Sequence, residues 1–88
     1  KNTKEVKTMA VEFEYSALRG FIRRFFGTNA AFAKFLGIGV TALYERLGNR
    51  VPFSQEEIAK VATQSPAGAL SAKEVNTLFF TVLIWKVE

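Results

Sequence analysis

Apolar residues recur along most of this chain at the spacing of an α-helix. Leu18, Ile22, Phe25 and Phe26 form one such stripe, with arginines outside it, and predict a first helix over residues 16–26. The same spacing predicts four further helices, over residues 29–36, 40–47, 55–63 and 72–78. The expected architecture is therefore mainly α.

Two segments near the ends of the chain favour extended structure instead. Residues 11–15 alternate apolar and acidic side chains, as a half-buried strand does. Residues 79–88 are rich in β-branched and aromatic residues and contain neither Gly nor Pro, which predicts a second strand. We expect the two strands to pair antiparallel, either within one subunit or across a dimer, because an unpaired apolar strand promotes aggregation.

Residue types with known positional preferences mark the helix starts. Thr28 stands where an N-cap hydroxyl is expected. Ser54 with Glu57, and Ser71 with Glu74, have the spacing of a capping box. The carboxylates near residue 57 are therefore interpreted as helix-start charges rather than as a catalytic pair.

The segment from 28 to 50 contains the most specific pattern in the chain. Two short predicted helices flank a break that contains glycine, as in a helix-turn-helix. Counted from Asn29, the fifth position is the small residue Ala33, which allows a second helix to cross closely. The ninth is Gly37, which suits a turn with positive φ. Apolar residues follow at the tenth and fifteenth positions, Ile38 and Leu43.

This pattern resembles the helix-turn-helix of phage repressors and Cro proteins, the lambda-repressor-like class. The chain also resembles a family of short phage-encoded repressor-like proteins, in the segments FEYSALRG, FGTNAAFAKFLGI, VPFSQEEI and LFF. This resemblance covers residues 13–80. It implies a single five-helix, lambda-repressor-like domain over residues 11–88, here with a small β element from the terminal strands. Residues 1–10 are interpreted as a flexible leader, native or left over from cloning.

The resemblance also implies which residues contact DNA. The third helix would present its outward side chains to base edges in the major groove, namely Val40, Thr41, Tyr44 and Glu45. The start of the second helix and the segment after the third helix would contact phosphates, through Thr28, Asn29, Asn49 and Arg50. For Glu45, a salt bridge with a nearby arginine is the alternative.

The placement of charge agrees with a polyanionic partner. The formal net charge of the 88 residues is +4. Residues 16–54 contain six basic residues and one acidic residue, whereas the remainder contains six basic and seven acidic residues. Positive charge concentrated on the predicted helix-turn-helix favours DNA as the partner. The alternative is an ordinary solvated basic face.

Several other classes of site are excluded or disfavoured. The chain has no Cys and no His, which excludes disulfides, zinc fingers, Cys nucleophiles and His-based acid–base chemistry. Residues 37–42 fit a G-x-G-x-x-A dinucleotide motif, but a helix rather than a strand is predicted before them. No apolar run approaches the roughly 18 residues of a membrane span. We expect no enzyme activity, cofactor, metal or membrane insertion.

These inferences favour a sequence-specific transcriptional regulator of the phage or prophage Cro/repressor type. It would bind a double-stranded DNA operator in the cytoplasm of a bacterial host, as a homodimer, and occlude a promoter. The C-terminal segment between Thr81 and Val87 is the candidate dimer element. The alternative is a protein-interaction module on the same fold, similar to an antitoxin or an antirepressor, which the apolar tail suggests.

Overall fold

The computed structural model describes residues 12–83 and contains five α-helices in that range. They are α1 (Ser16–Phe25), α2 (Asn29–Leu36), α3 (Val40–Leu47), α4 (Gln55–Gln64) and α5 (Ala72–Phe79). All five predicted helices are confirmed, and their observed ends lie within one residue of the predicted ones. The predictions made for residues 1–11 and 84–88 fall outside the described residues.

The core lies where α1 packs against α5 and α2, and where α2 packs against α3 and α4. Its fully buried large side chains are Leu18, Ile22, Phe32, Leu43, Val61 and Phe79. Phe26 connects α1 to α2, since its ring centroid lies 5.0 Å from those of both Phe32 and Phe35. The aromatic residues of this region therefore serve core packing, where full burial of a ring such as that of Phe32 contributes about 1.5–3 kcal/mol.

The predicted helix caps are confirmed. The Thr28 hydroxyl accepts a hydrogen bond from the Ala31 N–H at 3.1 Å. Ser54 is the N-cap residue of α4 and Ser71 is that of α5, and both form the complete reciprocal capping box. These local interactions explain why short helices of eight to ten residues begin at defined positions.

The segment before α1 shows only part of the alternation that its sequence predicts, because Glu14 is half-buried like Phe13. Glu12 is exposed, Phe13 is half-buried and Tyr15 is buried. The Tyr15 ring packs at 5.6 Å from that of Phe53, centroid to centroid. This burial raises the pKa of the Tyr15 phenol, because the phenolate would lose its hydration.

The prediction of two paired terminal strands is wrong for the described residues. No strand occurs in residues 12–83, and Phe13 and Val82 form an isolated antiparallel bridge instead. Two backbone hydrogen bonds flank the bridge, from the Glu14 N–H to the Thr81 carbonyl (2.7 Å) and from the Leu83 N–H to the Glu12 carbonyl (2.8 Å). The antiparallel direction agrees with the prediction, and this contact is made within one chain.

The predicted start of the second strand at Phe79 is also wrong. Phe79 is the last residue of α5 and is only 2% exposed. Its ring packs edge-on against that of Phe53, with centroids 5.2 Å apart. Burial on the helical core outweighs the β-propensity of this segment, and the backbone leaves the helix at Phe80.

Candidate nucleic-acid interface

A three-residue turn, Gly37-Ile38-Gly39, joins α2 to α3. Gly37 has φ 78° and ψ 27°, a left-handed conformation that strains residues with a Cβ, so the predicted positive φ is confirmed. The Ile38 N–H donates to the Ala33 carbonyl at 3.0 Å. Ala33 is 2% exposed, and its small side chain lets α3 pack closely on α2. The turn and this contact together fix the angle between the two helices.

Three of the first five residues of α3 form an exposed surface. Leu43 is fully buried on the face towards α2, whereas Val40 is 37% exposed and Tyr44 is 54% exposed. Thr41 is also exposed, and Glu45, one position further along, is half-buried. The four residues predicted to contact bases therefore include three on an open helix surface and one at its margin.

A polar cleft of about 190 Å³ lies between α1 and the N-terminal end of α2. Its lining includes Thr28 and Asn29, which were predicted to contact phosphate, and also Arg19 and Arg23, which were not. The start of α2 and two arginines thus line one space, and free N-terminal amides together with positive charge favour an anion. The sequence contained one signal for this pair: the two arginines are four residues apart and lie outside the apolar stripe of α1, so they share one face of that helix.

Asn49 has a structural role that the sequence analysis missed. Its backbone is left-handed, with φ 65°, directly after the end of α3. Its Oδ1 accepts from the Phe13 N–H at 2.8 Å, and its Nδ2 donates to the Phe13 carbonyl at 3.0 Å. The side-chain amide therefore bonds both backbone groups of Phe13, as a neighbouring strand would. Its Oδ1 and its Nδ2 are both already hydrogen-bonded.

Arg50 follows this clamp and differs from Asn49 in what it offers to a ligand. Its backbone N–H donates to the Glu45 carbonyl at 2.9 Å, which anchors the main chain to α3. Its side chain is exposed and makes no hydrogen bond or ion pair with residues 12–83. Of the two residues after α3 that were predicted to contact phosphate, Arg50 has the available charge.

The ion pair near α3 involves Arg46 rather than Glu45. Arg46 Nε donates to Glu57 Oε1 at 2.9 Å, and Arg46 Nη2 donates to Glu57 Oε2 at 3.1 Å. A third bond runs from Arg46 Nη1 to the Ala42 carbonyl at 3.0 Å. The two charged side chains are 15% and 13% exposed. Arg46 is therefore neutralised by α4 and holds α3 in place.

Several exposed positive charges have no carboxylate partner within residues 12–83. Arg19, Arg23, Lys34 and Arg50 lie on α1, on α2 and directly after α3, and Arg24 and Lys73 lie on α1 and α5. Arg19 and Arg23 line the cleft at the start of α2.

Two findings concern other kinds of site. Within residues 12–83, no three carboxylates are grouped closely enough to hold a metal ion. No helix in the same range is both long enough and apolar enough to cross a membrane.

No known protein-family model and no curated protein sequence matches this chain.

Proposed function

We propose that this chain is a sequence-specific, double-stranded DNA-binding transcriptional regulator of the lambda-repressor-like, Cro/repressor type, from a phage or prophage. The observation that carries the proposal is the exposed N-terminal surface of α3, and the arginine-lined cleft at the start of α2 supports it. An α-helix fits the major groove, and helix N-terminal amides with nearby arginines suit the phosphates beside it. In a bacterial host cell, occupancy of an operator would exclude polymerase from an overlapping promoter.

The side chains of α3 have the chemistry for direct contact with bases. Val40 offers methyl groups to a thymine methyl, and Thr41 offers a hydroxyl that can donate or accept. Tyr44, which is 54% exposed, can reach a thymine methyl or a phosphate. Glu45 can accept from a cytosine amino group, and no ion pair with residues 12–83 occupies it.

The phosphate contacts divide between two places. At the start of α2, the cleft lined by Thr28, Asn29, Arg19 and Arg23 would hold one phosphate. After α3, the exposed side chain of Arg50 would hold another. These contacts set affinity and register, whereas the surface of α3 sets sequence preference.

The proposed assembly is a homodimer that uses the C-terminal segment. In the bridge with Phe13, the N–H and C=O of Val82 point away from its partner, as they do in a non-hydrogen-bonded antiparallel pair. Phe80, Val82 and Leu83 are also 40–46% exposed. A second copy would cover this edge and place two α3 helices about 34 Å apart, one turn of DNA.

Selection from a pool of randomised DNA duplexes tests the proposal. At low salt we expect enrichment of an operator with two related half-sites. Its log affinity should fall linearly with log salt concentration, with a slope of about −0.9 per phosphate contacted. A chain that retains no duplex at low salt, or whose affinity ignores salt, would contradict DNA binding.

The exposed apolar residues at 80, 82 and 83 favour a second candidate function. They would equally suit a protein-interaction module of the antitoxin or antirepressor kind, whose partner is another regulator. Two measurements distinguish the two functions. An interaction module would enrich no duplex from the randomised pool, and it would form a complex with a protein through the C-terminal segment.

A further inference from the structure

A second concave surface lies between α1 and α5, and we call it the α1–α5 groove. It has a volume of about 430 Å³, within the range of small-ligand and peptide sites. Its lining is Phe21, Arg24 and Phe25 of α1, Ala67, Ala69 and Leu70 of the connection after α4, and Lys73, Glu74, Thr77 and Leu78 of α5. This groove is separate from the cleft at the start of α2.

The floor of the α1–α5 groove is apolar. Phe21 and Phe25 pack against each other with ring centroids 4.9 Å apart, and both are half-buried rather than covered. Leu70 is likewise half-buried, and Leu78, at 8% exposed, connects the groove to the core. An occupant with apolar side chains would remove this remaining area from water.

The rim of the groove contains two cations, Arg24 and Lys73, and one carboxylate, Glu74, so its net charge is positive. Arg24 and Lys73 are exposed, and neither pairs with a carboxylate of residues 12–83. Glu74, the carboxylate on the rim, is engaged in the capping box, where its Oε1 accepts from the Ser71 N–H at 2.8 Å. The rim therefore presents two cations that have no anionic partner in the described part of the chain.

Arg24 lies next to the apolar floor of the groove. Its guanidinium carbon lies 5.1 Å from the centroid of the Phe25 ring, a cation–π contact. A guanidinium group can donate two parallel hydrogen bonds to a carboxylate.

The two helices that line the α1–α5 groove do not pack against α3. Within residues 12–83, α3 packs against α2, whereas α1 and α5 pack against each other. A partner in the groove would leave α3 and the start of α2 uncovered. The two surfaces can therefore be occupied together.

We propose that the α1–α5 groove binds an acidic amphipathic peptide segment of another protein. Apolar side chains would occupy the floor, and carboxylates would pair with Arg24 and Lys73. A second copy of this chain is a poorer occupant, because its net charge is +4 and the two cationic rims would face each other. Duplex DNA is also a poorer occupant, because its phosphates would gain nothing from the apolar floor.

Selection from a displayed library of random twelve-residue peptides, against the whole chain, tests the proposal. We expect the enriched peptides to combine two or more Asp or Glu residues with Leu or Phe at helical spacing. A saturating random-sequence duplex should not displace them. A library without binders, basic enriched sequences, or displacement by the duplex would each overturn the proposal.

The chain offers matched controls for mapping the selected peptides. Thr77, in the groove, and Thr63, on α4, are both exposed helical threonines whose hydroxyls donate to the carbonyl four residues earlier. We expect Thr77→Glu to weaken peptide binding about tenfold by like-charge repulsion. Thr63→Glu should leave it unchanged, and far-ultraviolet circular dichroism would verify that both variants fold.

A second pair of variants tests the cationic rim. Lys73→Glu should weaken peptide binding about as much as Thr77→Glu does, whereas Lys34→Glu makes the same charge change on α2 and should not. Equal losses for the two lysine variants would show a general charge effect and overturn the proposal. Peptide binding stands apart from DNA binding, so each can fail without the other.

Discussion

At the scale of single residues, Asn49 is the position where local conformation and long-range packing meet. It is the only residue other than glycine with positive φ in residues 12–83, and its side chain bonds both backbone groups of Phe13. Asn tolerates the left-handed conformation better than most residues. The clamp ties the segment before α1 to the end of α3, so it supports the surface that α3 presents.

Two substitutions separate the hydrogen bonds of Asn49 from its backbone conformation. Asn49→Gly keeps the left-handed conformation accessible but removes both bonds, and should lower the free energy of unfolding by about 2 kcal/mol. Asn49→Ala also adds left-handed strain, and should lower it by about 1 kcal/mol more. Urea denaturation measures both. Equal values for the two variants would contradict the strain argument.

Residues of the proposed DNA interface should divide into two classes. We expect Tyr44→Ala and Thr41→Ala to change which bases are preferred, by about 1–3 kcal/mol at the contacted position. Arg50→Ala and Arg23→Gln should instead weaken binding to all sequences alike and reduce the salt slope by about 1 each. Affinities for a panel of operator variants at several salt concentrations provide the measurement. A uniform loss for all four variants would contradict this division.

At the scale of elements, Glu57 joins two helices that would otherwise touch little. Its Oε1 accepts from the Ser54 N–H at 3.0 Å and completes the cap of α4. The same carboxylate binds Arg46 of α3 through two bonds. The start of α4 and the orientation of α3 therefore depend on one side chain. A capping-box glutamate is predictable from sequence, whereas its second partner, eleven residues earlier, is not.

The two capping boxes of this chain make a matched comparison. Glu74→Ala removes an exposed box and should cost about 1 kcal/mol. Glu57→Ala removes a similar box and also leaves the guanidinium of Arg46 without its carboxylate, at 15% exposure. It should cost about 2 kcal/mol more than Glu74→Ala. Thermal or urea unfolding measures the difference, and equal costs would show that the ion pair is energetically unimportant.

At the scale of the whole molecule, the ends of the described chain meet. The bridge between Phe13 and Val82 brings the segment before α1 next to the segment after α5. The Phe13 ring also lies 5.9 Å from that of Phe80, edge to face. One edge of Phe13 is bonded by Asn49, and the opposite side of the bridge is the exposed edge of Val82. Within residues 12–83, the backbone groups of Val82 make no hydrogen bond, and they form the edge that we propose a second copy covers.

Proline substitutions at adjacent positions test the two edges separately. Val82→Pro removes an N–H that faces outward, so it should prevent dimer formation and leave the monomer stable. Leu83→Pro removes the N–H that donates to the Glu12 carbonyl, so it should loosen the bridge itself. Sedimentation equilibrium and unfolding report the two effects. Truncation after Phe80 should abolish both the bridge and the dimer. If the whole chain is already a monomer, the C-terminal segment is not a dimer element.

The sequence by itself determined the five helices, their caps and the conformation of the turn after α2. These depend on spacing within a few residues: apolar side chains three and four apart, Ser or Thr before the starts of α2, α4 and α5, and glycine in the turn after α2, where φ is positive. The exposed surface of α3 followed from the same periodicity. Local rules were sufficient here because the interactions are local.

Only the tertiary structure decided which distant residues form hydrogen bonds and ion pairs with one another. It assigned Asn49 to Phe13, paired Arg46 with Glu57, and reduced the predicted terminal strands to one bridge. Each outcome depends on which groups the packing brings within 3 Å, across 11 to 69 residues of chain. Periodicity carries no information about such encounters, because they follow from the packing of whole helices on a common core.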